Sequence, residues 1–121
     1  DDYRNGRVFD DAVAHSFYPI DLHVEHGVKP EHLEKGVVPM IPLGALIPKG
    51  SKSLMVAGRC LSSDRLANSA LRVQASCMAM GQAAGATAAL AARSETTPSQ
   101  VPMLDIRHAL DEHGAIMPKT I

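Results

Sequence analysis

The sequence predicts an α/β fold, and three features of it do so. Residues 54–57, Leu54-Met55-Val56-Ala57, form a short apolar run that stops abruptly at Gly58-Arg59. A polar loop follows, and then a long, small-sided helical run from about Arg72, with no charge between Val73 and Ala92. Upstream, residues 15–50 hold five prolines between short apolar stretches, the pattern of brief strands joined by loops. A buried strand, a loop and a helix whose N-terminus points back at the loop is a ligand-facing layout. The unsatisfied N–H groups and positive dipole end of such a helix suit electron-rich or anionic atoms.

Taken in order, residues 1–14 are polar, with Asn5-Gly6 as a turn and one helical turn over residues 9–14. Residues 18–24 alternate well enough for one strand. Residues 37–47 form another, bent or interrupted by its prolines, and such strands belong at sheet edges. Lys49-Gly50-Ser51-Lys52 makes the turn into the strand–loop–helix of residues 51–93. A polar linker then leads to a helix over residues 103–113, with Leu104, Ile106, Ala109 and Leu110 as its apolar positions. Gly114 ends it as a C-terminal cap.

Composition excludes several functions. There are 12 basic and 13 acidic residues, interspersed, for a net charge of −1, so nothing supports nucleic-acid binding. Cys60 and Cys77 make neither a disulfide framework nor a zinc spacing, and small buried residues in a reduced compartment are preferred to a redox pair. His23, His26 and His32, with Asp21 and Glu25, match no standard metal pattern, so no metal site is assigned. The 20 uncharged residues from Val73 are long enough to cross a bilayer. They are mostly Ala, Gly, Ser, Thr, Gln and Met, however, and read as a buried soluble helix with no membrane partner. Hydrophobic residues make up 45% of the chain but aromatics only 3%, and Ala buries little area, so part of this surface is expected to be covered. The cover is a missing part of a parent protein, or a second copy of the chain in a homodimer.

Val56-Ala57-Gly58-Arg59, the loop Ser62-Ser63-Asp64-Arg65, Arg72, Cys77 and Gly81-Gln82-Ala83-Ala84-Gly85 together resemble the C-terminal flavin-contacting segment of FAD-dependent oxidoreductases. The likeness is to bacterial flavoproteins related to the succinate dehydrogenase and fumarate reductase flavoprotein superfamily. It extends upstream through Tyr18-Pro19-Ile20-Asp21-Leu22-His23 and residues 41–48, and downstream to Leu110 and Gly114-Ala115. A Gly-rich dinucleotide turn is missing here, and in the resembling family it sits near the N-terminus of a much longer chain. The resemblance therefore implies a C-terminal piece of a Rossmann-like FAD-binding flavoprotein, inactive alone, whose partners are the missing N-terminal part and a small organic substrate. Residues 1–50 would be a portion of the substrate-side domain, residues 51–93 the last strand–loop–helix of the FAD-binding domain, and residues 94–121 a linker and terminal helix. FAD would belong to the full-length parent rather than to this piece. The N-terminus, Asp1-Asp2-Tyr3-Arg4, is charged and shows no signal peptide; for a C-terminal piece this leaves location open, with the cytoplasm favoured. The alternative is a non-catalytic, self-associating structural or interaction domain.

The candidate site residues follow. Gly58 permits close approach of backbone and ligand, or simply makes a turn. The fork of Arg59 suits a phosphate or a carboxylate, or a surface ion pair. Ser62, Ser63 and Asp64 either cap the loop or bind ribityl hydroxyls. Free N–H groups are expected on the helix start, with Ser69, Ala70, Leu71, Arg72 and Val73 as cofactor-binding residues. In the resembling flavoproteins this start faces the flavin's pyrimidine side and stabilises charge near N1 and O2. Arg72 would reinforce that potential, or pair with Asp64 or a missing domain. Gly81 and Gly85 suggest close packing against a missing neighbour. Asp21 and His23, two apart on a strand, share a face and are the catalytic candidates, Asp21 orienting an imidazole that moves a proton. A plain structural hydrogen bond is the competing reading.

Overall fold

The computed structural model describes residues 1–28 and 30–119. Its scaffold is one long helix, on which the first strand, the last helix and three 3₁₀ turns pack. Helix α3 (Gln74–Arg93) is the Ala-rich run, and Ala has the highest intrinsic helix propensity. Ser76, Met80, Ala83, Thr87 and Ala91 recur at three- and four-residue intervals and are the buried stripe. That stripe packs on strand β1 (Ala12–His15) and on helix α4 (Met103–Glu112). Ile106 and Leu110 of α4 and Ile41 and Leu46 from the proline-rich segment complete the core.

Strand β1 replaces the helical turn expected over residues 9–14. The helical turn lies earlier, as α1 (Asp2–Asn5), closed by Gly6 in the left-handed conformation at φ 59°, where the Asn5-Gly6 turn is expected. Of residues 18–24 only His23–Val24 (β2) is strand, paired with Gly27–Val28 (β3) across a Glu25-His26 turn. Ile20 and Glu31 exchange both backbone bonds at 2.9 Å, an isolated bridge below that hairpin. Residues 37–47 contribute a three-residue strand, β4 (Met40–Pro42), and then a 3₁₀ turn over Leu43–Leu46. Strand β4 runs antiparallel to β1, with an irregularity between Ala12 and Ala14. Prolines 19, 39, 42 and 48 account for these short strands, because each removes a ladder donor.

The strand expected at residues 54–57 does not form. Val56 donates one backbone bond, to the Leu46 carbonyl at 2.9 Å, and Leu54 is 55% exposed. A buried strand needs ladder partners along its edges, and among the described residues only that single bond is supplied. Among the described residues both sheets are two-stranded and antiparallel, so the structure is a mixed α/β arrangement without a parallel sheet.

Two helix ends follow the same stereochemistry with different residues. After α4, Gly114 at φ 73° lets Ala115 N–H reach Leu110 O and its own N–H reach Asp111 O, both at 2.9 Å, as the terminal glycine predicts. After α3 the equivalent left-handed residue is Glu95, at φ 49°, with Thr96 N–H on Ala91 O. Arg107 fastens α4 to the start of β1, donating to the carbonyls of Asp10 and Ala12.

Gly81 and Gly85 lie on the exposed side of α3, and nothing stands within 4 Å of a methyl group added to either. In this chain their flexibility is a cost without a compensating contact. Gly85→Ala should raise stability by up to ~1 kcal/mol. Gly6→Ala should lower it, because the new methyl would sit 2.9 Å from the stiff Val37 Cγ1 at a positive φ. Urea unfolding of the two variants checks both signs.

Arg4 forks onto Glu31 at 2.6 and 2.7 Å, tying α1 to the Ile20–Glu31 bridge. The guanidinium hydrogen bond holds the Glu31 carboxyl below the ordinary carboxylate range. A lowered folded pKa stabilises the fold fully above the ordinary value of 4.5, and the contribution disappears as pH falls through the folded value. Glu31→Gln should therefore flatten the acid limb of a plot of Tm against pH.

Candidate functional site

The long helix begins at Gln74, close to the start expected near Arg72, but a shorter helix precedes it. Asp64 Oδ1 accepts Ala67 N–H at 2.8 Å and starts a separate seven-residue helix, α2 (Arg65–Leu71). The capping role considered for Asp64 is thus the observed one. Ser69, Ala70 and Leu71 form the buried last turn of α2, with Ser69 Oγ donating to Leu66 O at 2.7 Å. Their amides are spent within that helix, which corrects the expectation of free N–H groups on residues 70–72. The chain then breaks at Arg72-Val73, Val73 being extended (ψ 155°), and restarts as α3. The first bond of α3 runs from Cys77 N–H to Val73 O, so the amides of Val73, Gln74, Ala75 and Ser76 have no acceptor within the helix. No side chain caps them either.

The break gathers several nominated residues. The Arg72 carbonyl, released from any helix ladder, accepts from Cys77 Sγ at 3.4 Å and, at a long 3.5 Å, from Arg59 Nε. Gly58 opens a short 3₁₀ turn, Gly58–Cys60, at φ 68°. A Cβ added to Gly58 would point at Cys77, 3.6 Å from its Sγ. This glycine therefore serves a left-handed turn packed on α3, with its missing side chain directed at Cys77. The side chain of Arg72 leaves the break in the other direction. Its Nε donates to Ser69 O at 3.3 Å and Nη2 to Asp21 O at 3.1 Å, with Asp21 Oδ2 at 3.7 Å. Its carboxylate partner is Asp21, where Asp64 had been considered. His23 Nε2 lies 3.6 Å from the same Asp21 Oδ2, so the strand-face pairing expected for Asp21 and His23 is met in distance.

The start of α3 opens onto a cleft of about 630 Å³ whose walls include His15, Ser16, Val73, Ala75, Ser76 and Gln82. Of the nominated residues only Val73 lines it. Leu71, with Ser62 to Asp64, borders a second hollow of about 280 Å³ on the far side of α2. The first cleft is mostly apolar in its surroundings, with Phe17 74%, Met78 76% and Ile116 86% exposed at its rim. A chain of buried hydroxyls anchors its floor. Ser76 Oγ lies 2.9 Å from Ser16 Oγ, and Ser16 Oγ 3.1 Å from the Tyr3 hydroxyl, which donates to Tyr18 O at 2.8 Å. Burial pushes the Tyr3 hydroxyl up from its ordinary pKa, although its Ser16 and Tyr18 hydrogen bonds pull the other way.

Sequence reasoning passed over His15, whose Nδ1 is buried without a hydrogen-bond partner among the described residues, beside this cleft. Its only signal was a histidine in an apolar run, which does not distinguish a wall from a core. The groups able to hold a cofactor are the α3 amides with Arg72 and Arg59 nearby, a combination that favours electron-rich atoms. Among the described residues no three His, Cys, Asp or Glu side chains are placed to hold a metal ion, and no helix is long and apolar enough to cross a membrane.

Gly58→Ala should cost about 1 kcal/mol of stability. The cause would be backbone strain at positive φ, since a 3.6 Å contact with Cys77 is ordinary packing. Cys77→Ala, which empties that contact, should leave the penalty unchanged in a double-mutant cycle read by thermal unfolding.

The chain matches the family described as FAD dependent oxidoreductase over residues 1–110. Neither the curated proteins nor the solved structures contain a match to the chain.

Proposed function

Because the chain belongs to the FAD dependent oxidoreductase family, we propose that it forms the C-terminal part of a flavin site and one wall of the neighbouring substrate site. The observation that carries this reading is the uncapped start of α3, which opens on the 630 Å³ cleft at Val73, the residue that follows Arg72 in the chain. An N-terminus with four amides free of intrahelical bonds fits an electron-rich ring edge, and among the described residues no side chain caps it. When bound, FAD supplies hydride acceptor and donor chemistry for a small organic substrate.

The chain's own residues do the rest. The amides of Val73 to Ser76 hold negative charge by fixed dipoles that need little reorganisation. Arg72 and Arg59 add positive charge, partly spent on the free carbonyls at the end of α2. Among the nominated residues this gives Arg72 and Val73 the direct role. Gly58, Ser69, Ala70 and Leu71 act as the scaffold that sets the break. His23 is 63% exposed, can exchange a proton with a substrate, and has Asp21 to orient its ring. The hairpin of β2 and β3 forms the substrate-side wall.

The bare face of α3, with Gly81, Gly85, Ala88 and Ala89 exposed, supports a cover by the remainder of a longer flavoprotein related to the succinate dehydrogenase and fumarate reductase group. Small residues there would let a dinucleotide-binding domain of Rossmann type approach closely. A second copy of the chain would use the same face.

An FAD titration tests the reading, followed by flavin fluorescence, on the 121-residue chain and on the longest natural chain that contains it. The longer chain should bind one FAD, and Gly85→Leu in it should weaken binding while leaving the short chain folded. Absence of FAD binding by either chain overturns the flavin site.

A further inference from the structure

Asp21 faces two partners with one oxygen. Oδ2 is 3.6 Å from His23 Nε2 and 3.7 Å from Arg72 Nη2, and the Asp21 main-chain carbonyl takes a second contact from Arg72 at 3.1 Å. The two partners differ in commitment. His23 is 63% exposed and held by nothing else described, whereas Arg72 is half-buried and also bound to Ser69 O. Arginine is always protonated, so its attraction to Asp21 persists at every pH at which the carboxylate is charged. The Asp21 side chain is only 22% exposed, and a half-buried carboxylate beside a fixed guanidinium is weakly screened by solvent.

We propose that Asp21 is a positioning residue for Arg72, fixing the guanidinium at the junction between α2 and α3, and that its service to His23 is secondary. The inference rests on the flavin reading above and assigns Asp21 its place in it. Residues 18–24 are then more than a wall. They reach the break between α2 and α3 and hold the side chain of Arg72, the residue just before its free amides. Shifts of the β2–β3 hairpin would be transmitted to the electrostatics of the α3 terminus through this contact.

The test uses the longest natural chain that contains these residues, with FAD dissociation constants and flavin midpoint potentials as readouts. Arg72→Gln removes a positive charge from the site and should lower the potential. Asp21→Asn should lower it too, because a loosened Arg72 acts like an absent one, and should weaken FAD binding about fivefold. That effect should vanish in an Arg72→Gln background and persist in a His23→Gln background. Asp21→Glu, long enough to span the gap, should restore most of the loss, and it guards against a folding defect in Asp21→Asn. A raised potential in Asp21→Asn would mean that the carboxylate acts only as a bare negative charge, and would overturn the inference. So would an equal effect with Arg72 already replaced. A wild-type chain without FAD overturns the flavin reading and this inference together, whereas normal FAD binding with additive variants overturns the inference alone.

Discussion

The interruption of the helix at Arg72-Val73 is the constraint on which the rest of the site depends. A continuous helix from Asp64 to Arg93 would spend the amides and carbonyls around Arg72 and Val73 on itself. Breaking it releases the amides of Val73 to Ser76 on one side and the Arg72 carbonyl on the other. No Gly or Pro enforces the break. Tertiary contacts hold it instead: Arg59 and Cys77 on the freed carbonyl, Arg72 on Asp21, and Ser76 on Ser16. The first two occupy a carbonyl that a regular helix would have consumed, and the others anchor side chains on either side of the break.

The hydroxyl chain from Tyr3 through Ser16 to Ser76 gives the restart of α3 a fixed address. Buried hydroxyls without partners would each cost on the order of 1–3 kcal/mol, so the register of β1 against α3 is set by their mutual satisfaction. The apolar stripe of α3 fixes rotation about the helix axis. The hydroxyls fix position along it. Together they aim the free amides at the cleft and leave the Gly81–Gly85 side bare.

The two sides of α3 therefore have different physical characters. Met80, Ala83, Thr87 and Ala91 are buried by this chain alone. The opposite side is uncharged and small-sided, and solvates poorly without being apolar enough to form a core. Such a surface is economical when a second body covers it closely, which joins the helix's composition to the flavin-site reading. The absent ladder at residues 54–57 has the same physical basis, since an extended segment becomes a strand only beside another.

Several features were legible in the sequence because their causes are local. The Asn5-Gly6 turn, the α4 helix with its Gly114 stop, the Asp64 cap and the helicity of the Ala-rich run each follow from residues within a few positions. Membership of the flavoprotein family was legible from the order of short motifs. Asp21 and His23 do come within 3.6 Å, but Asp21 lies outside the strand whose periodicity suggested the pairing. What the sequence did not disclose depends on distant partners. Residues 12–15 became a strand because β4 and α3 lie beside them. Ser69 to Leu71 closed one helix when they were expected to open another, and Arg72 chose Asp21, 51 positions away, over nearby Asp64. Local stereochemistry decides which turns and caps a segment can make. Which donors are left free for a ligand is decided only when the tertiary fold has assigned all the others.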